Sequence, residues 1–168
     1  MKKIIVFLFL CSSIFLFKMD NSIYISNSIR YRIIANSDNI NDQKLKWEIN
    51  KEIIPIINKM DSSSKEAMEY SIKNSIPKIE KIVSRYTNDF SINYGDNYFP
   101  QKEYHNVIYE DGYYPSLVIT LGSSEGHNWW CFMFPPLCGL EASKDDISDV
   151  EYDYYFKKII NNYKLNML

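Results

Sequence analysis

Apolar and basic positions alternate along residues 29–35 (IRYRIIA): Ile29, Tyr31 and Ile33 share one face, Arg30 and Arg32 the other. A period of two predicts a strand. Asn36-Ser37-Asp38-Asn39 follows, a turn whose side chains can cap a helix. From about Ile40 to Met60 the period becomes helical, with Leu45, Ile49, Ile53, Ile56 and Ile57 in one stripe. Pro55 is expected to kink or split that helix. Asp61-Ser62-Ser63-Ser64 ends the pattern, and Ser63 with Glu66 reads as a capping box for a second helix. Ala67, Tyr70, Ile76, Ile79, Ile82 and Val83 carry it to about Tyr86. Ser75-Ile76-Pro77 is expected to interrupt it, with Pro77 in the first turn of a restarted helix.

Past Thr87 the character changes, and half of the chain's aromatic residues fall between Tyr86 and Phe134. Phe90–Tyr94, about Lys102–Tyr109, Leu117–Leu121 and Trp129–Phe134 read as short strands, and Glu110-Asp111-Gly112 as a hairpin turn. The order strand, two helices, then several strands predicts a single α+β domain: a mainly antiparallel sheet with a pair of helices packed on one face. The chain divides into 1–18, an export segment or membrane anchor; 19–28, a linker; 29–138, the folded domain; and 139–168. That last part holds an acidic stretch and a stripe of Phe156, Ile159, Ile160 and Tyr163 that predicts an amphipathic helix.

Met1-Lys2-Lys3 followed by the mostly apolar run Ile4–Phe17 has the layout of a signal peptide, short for a permanent span. The expected location is therefore outside the cytoplasm, with residues 4–17 touching the membrane in transit or remaining as an uncleaved anchor. In an oxidising compartment Cys131 and Cys138 could pair around Pro135 and Pro136; in a reducing one they would be small buried hydrophobes. The net charge of −2 excludes an electrostatic nucleic-acid binder. Three arginines against 16 lysines, with abundant Ile and Asn, fit an AT-rich genome rather than a chemical preference.

Polar residues in catalytic patterns are sparse. His127 and Cys131 on one strand would lie roughly 13 Å apart, too far for direct hydrogen bonding. Glu110-Asp111 and Asp145-Asp146 read as solvated surface, and no metal or cofactor motif is present in the sequence. The dense feature is Asn128-Trp129-Trp130-Cys131-Phe132-Met133-Phe134-Pro135-Pro136-Leu137-Cys138. Adjacent tryptophans on a strand point to opposite faces, so one can fill a core while the other serves as a binding anchor; a sheet covered on both faces would bury both.

Ile29 to Asp38 with Asp42-Gln43 and Leu45-Lys46, then Gly95, Tyr98-Phe99-Pro100, Lys102, Tyr104, Gly112, Tyr114 and Leu117, and finally Asn128–Cys131 with Phe134–Cys138, resemble the stage II sporulation protein R family. Two positions depart from the family pattern: Val118 replaces a basic residue and Ser124 a glycine. The resemblance implies a non-enzymatic signal, secreted from the forespore of an endospore-forming bacterium into the space between forespore and mother cell membranes. Its implied partner is a membrane-embedded aspartic protease of the mother cell, the stage II sporulation GA protein, which processes the precursor of the early mother-cell sigma factor. The expected contact residues are Arg30, Arg32, Asn36, Ser37, Asp38, Asn128, Trp129, Trp130, Pro135 and Pro136. An extracytoplasmic cell-wall enzyme or glycan-binding domain using the aromatic cluster is the alternative.

Overall fold

The computed structural model describes residues 27–104 and 107–142, with side chains described for 27–101 and 109–140. The export segment and residues 143–168, with the rest of the acidic stretch and the helical stripe, lie outside the described residues. The chain forms β1 (Ile29–Ile34), α1 (Ile40–Ile57), α2 (Lys65–Val83), β2 (Phe90–Phe99), β3 (Lys102–Tyr104), β4 (Val107–Tyr109), β5 (Gly112–Leu121), β6 (Asn128–Phe134) and the short α3 (Cys138–Ala142). The architecture is α+β, with a four-stranded sheet in the order β2-β5-β1-β6. Two of its three pairings are antiparallel, as expected, while the central β1–β5 pair is parallel. A parallel pair needs a crossover, and both helices lie in the connection between β1 and β5.

The helices start where side chains satisfy free backbone N–H groups. Asn39 accepts from the N–H groups of Asn41 and Asp42, so the turn caps α1 as predicted. Ser64, not Ser63, caps α2 by accepting from Ala67 N–H. Neither proline divides its helix: Pro55 and Pro77 lie inside continuous α1 and α2. Both are exposed, as are Lys51 and Lys73 four residues earlier, so the carbonyls that lose a partner face water.

Two further expectations are corrected by the strand register. Residues 102–109 do not make one strand but two, β3 and β4, paired as a separate small hairpin. Glu110-Asp111-Gly112 joins β4 to β5 without pairing them; β5 pairs instead with β2, running from Phe90↔Leu121 to Phe99↔Gly112. The small hairpin is thus an insertion at the tip of a long β2–β5 hairpin.

The main core lies between the sheet and the two long helices. Ile29, Tyr31 and Ile33 of β1 meet Ile49 and Ile53 of α1, Ile72 and Ile79 of α2, and Leu117 and Ile119 of β5 there, all fully buried. The opposite face of the sheet carries a second, smaller cluster of Tyr109, Phe132 and Leu137, packed with Trp130 and Leu140. Both faces are covered, and the arginine face of β1 is not the solvated surface that alternation alone allows.

Candidate functional site

The predicted contact residues fall into two assemblies. The first joins the β1–α1 turn to the β5–β6 loop. Asp42 Oδ2 accepts from Ser37 Oγ at 2.6 Å and from Asn36 Nδ2 and Asn39 Nδ2, both at 2.8 Å. These donors, the Ser37 hydroxyl foremost, hold the Asp42 carboxyl below its ordinary pKa. Asn36 Oδ1 accepts from Ser123 N–H at 2.9 Å, tying the turn to the loop. Asp38 Oδ1 accepts from His127 N–H and pairs with His127 Nδ1, both at 2.6 Å, and its pKa is lowered first by that backbone donor. Beneath them Lys46, 3% exposed, donates to His127 O at 2.9 Å and Gln43 Oε1 at 2.6 Å, and burial lowers its pKa.

Two glycines make this approach possible. Gly122 has φ +56°, and a Cβ there would lie 2.1 Å from Asn36 Oδ1. A Cβ on Gly126 would lie 2.3 Å from Ser37 O. Asn36, Ser37 and Asp38 are therefore occupied in holding two loops together. Sequence reading placed them in a contact surface but missed Asp42, Gln43 and Lys46 as their internal partners. The Asn-Ser-Asp-Asn turn with an acid three residues on was the available signal; the loop that it meets is some 90 residues away along the chain.

The second assembly surrounds Arg30, which is 1% exposed. Its guanidinium carbon lies 3.4 Å from the ring centroid of Tyr114, 5.0 Å from that of Phe99, and 5.5 Å from those of Trp130 and Phe132. Arg32, half-buried, lies 4.4 Å from the Phe99 centroid. These are cation–π distances. The rings also pack edge to face: Trp130 meets Phe132 at 5.2 Å and Tyr109 at 5.8 Å. A cavity of about 30 Å³ sits beside both guanidiniums, with Asn128, Pro100 and Trp130 in its wall.

The tryptophan pair splits across the sheet, and both indoles are half-buried. Trp129 faces the helices, edge-on to Tyr31 and to Trp47 at 6.0 Å each; Trp130 faces the arginines. Pro135 is buried and Pro136 half-buried. Cys131 and Cys138 form a disulfide with a Cα–Cα distance of 5.0 Å. Cys131 therefore has no thiol to serve as a nucleophile in this state. No group of His, Cys, Asp or Glu among the described residues has a metal-binding arrangement, and no helix among them is long and apolar enough to cross a membrane. The partners of Arg30 were invisible to sequence reading, because Phe99, Tyr114 and Phe132 reach it only through the register of four strands.

Comparison with known proteins places these residues in context. The family model described as stage II sporulation protein R matches residues 25–144. A curated relative, "Stage II sporulation protein R" of Bacillus subtilis (strain 168), is 38% identical over 129 residues, covering 71% of this chain and 57% of that protein. The matched region thus spans a little over half the relative's length. No solved structure matches the chain.

Proposed function

This chain belongs to the stage II sporulation protein R family and has a role in sporulation, and on that premise we propose that it is an exported signal that acts by protein–protein contact. Its target is a membrane-embedded aspartic protease of the receiving cell, whose active state it favours by binding it more tightly than the inactive one. Activation of that protease leads to cleavage of the precursor of the early mother-cell sigma factor. The observation that carries the reading is the family match across residues 25–144, which takes in both assemblies described above.

Two features support it. The Lys2-Lys3 and Ile4–Phe17 arrangement is that of an exported chain. The Cys131–Cys138 disulfide suits an oxidising compartment. A contact surface on this domain would use what remains accessible near the sheet end: exposed Asp38 and Asn128, with half-buried Arg32, Trp130 and Pro136 at its margin. Arg30 and Pro135 would act from beneath it.

The test is reconstitution in a non-sporulating host that makes the membrane protease and the precursor sigma factor. Export of the full chain is expected to produce cleavage of the precursor on an immunoblot, and a chain lacking residues 4–17 is expected to produce none. Absence of cleavage with all three proteins expressed and folded overturns the reading and turns attention to a glycan-binding role for the aromatic face.

A further inference from the structure

Two of the chain's three arginines stand two residues apart on one face of β1, in a protein that otherwise uses lysine for positive charge. Arginine differs from lysine in offering a planar fork of N–H donors. The aromatic rings around Arg30 and Arg32 lie within cation–π distance of these guanidiniums, and the Tyr114 side chain also hydrogen-bonds Arg30, but this leaves most of the fork unanswered. Arg30 Nε and Nη2 and Arg32 Nε are buried and have no hydrogen-bond partner. Among the described residues no carboxylate forms an ion pair with either arginine. Buried charged donors without acceptors destabilise a fold, and a ligand that brings acceptors would relieve that cost.

We propose that the cavity between Arg30 and Arg32 is a carboxylate-binding site. Two cations require an anion, and a guanidinium edge matches the two oxygens of a carboxylate. The volume, about 30 Å³, has room for roughly two water-sized atoms, which suits a carboxylate head. Water fits but does not neutralise the charge. The aromatic walls lower the local dielectric and strengthen the pairing, and exposed Asn128 and Pro100 mark the side from which the group enters. The carboxylate is that of an acidic residue or C-terminus of a partner protein; a carboxylate of this chain is the competing occupant, which the experiment separates from it. The site goes beyond the signalling reading and does not depend on it.

The experiment uses the full chain with ¹⁵N-labelled arginine in a non-ionic detergent, titrated with acetate against chloride at fixed ionic strength. Arg85, exposed and paired with Glu52 on the other side of the sheet's helices, is an internal control. A free site gives saturable shifts of the Arg30 and Arg32 Nε–H resonances, with Arg85 unmoved. Arg32→Gln is expected to weaken that binding at least about tenfold while the ring-shifted Arg30 resonance reports an intact fold. A silent wild type whose response appears in Glu103→Gln, or after Asp145, Asp146 and Asp149 are all changed to Asn, identifies the chain's own carboxylate as the occupant. Silence in every variant, or equal movement of Arg85, overturns the proposal, and neither result bears on protease activation.

Discussion

The two faces of the sheet are built from the same strands and held by different physics. On the helix side, alternate residues of β1 and β5 bury aliphatic side chains against α1 and α2, and Ile29, Ile33, Ile53, Ile72, Ile79, Leu117 and Ile119 are all at zero exposure. That burial is non-directional and tolerates any close-packed arrangement. On the other side the intervening residues of the same strands place a guanidinium among Tyr114, Phe99, Trp130 and Phe132. There the geometry is specific, the apolar area smaller, and charged donors remain unpaired. The contrast separates a face that holds the fold together from one that gives up stability to keep a chemical group in place.

The largest effect is expected on the helix side. Ile53→Ala removes three buried carbons at the centre of the main core and should lower unfolding free energy by about 3–4 kcal/mol in urea denaturation. A loss below about 1 kcal/mol would mean that this face is not the principal source of stability. Next comes the Cys131–Cys138 disulfide, which closes a short loop between β6 and α3. Replacing both cysteines by serine should cost about 2–3 kcal/mol, and the same loss should follow on reducing the wild type. Arg30→Met tests the second face with the opposite sign. Replacing an unpaired buried charge by an apolar chain of similar length should stabilise the isolated protein by about 1–2 kcal/mol, although four ring contacts are lost. Destabilisation by that substitution would show that the cation–π contacts outweigh the buried charge, and the contrast between the faces would fail.

How far the sequence disclosed this arrangement follows the same division. Alternation in IRYRII was enough for β1, and the stripe of Ile49, Ile53 and Ile57 was enough for α1, because both patterns record burial against one partner surface. The prolines misled: Pro55 and Pro77 read as breaks, but a proline on the solvent side of a well-packed helix leaves its unpaired carbonyl to water. The second face was illegible because nothing local distinguishes Arg30 stacked on Tyr114 from Arg30 in solvent. That distinction depends on β5 lying beside β1 in the register Arg30↔Ser116, a pairing between positions 86 residues apart. The Asn36–Asn39 turn was legible as a helix cap and not as a clamp, since its other half is the loop from Gly122 to His127.

That loop supplies the smallest effect and the sharpest comparison. It ends at β6, the strand that carries Trp129 to the helix face and Trp130 to the arginine face. Ser124 within it has φ +57°, a left-handed conformation in which its Cβ crowds the backbone. Its hydroxyl finds only the carbonyl of Ser123, at 2.7 Å. Ser124→Gly removes the crowding but gives the unfolded chain more freedom, so the net gain should be about 0.5 kcal/mol. The strain sits in the connection shared by both faces rather than in either. Hydrogen exchange at Ile33, facing the helices, and at Trp130, facing the arginines, should therefore slow by the same factor, roughly twofold. A slowing confined to Trp130 would show that the aromatic face opens on its own, a sub-global motion that gives a ligand access to the arginines without disturbing the aliphatic core.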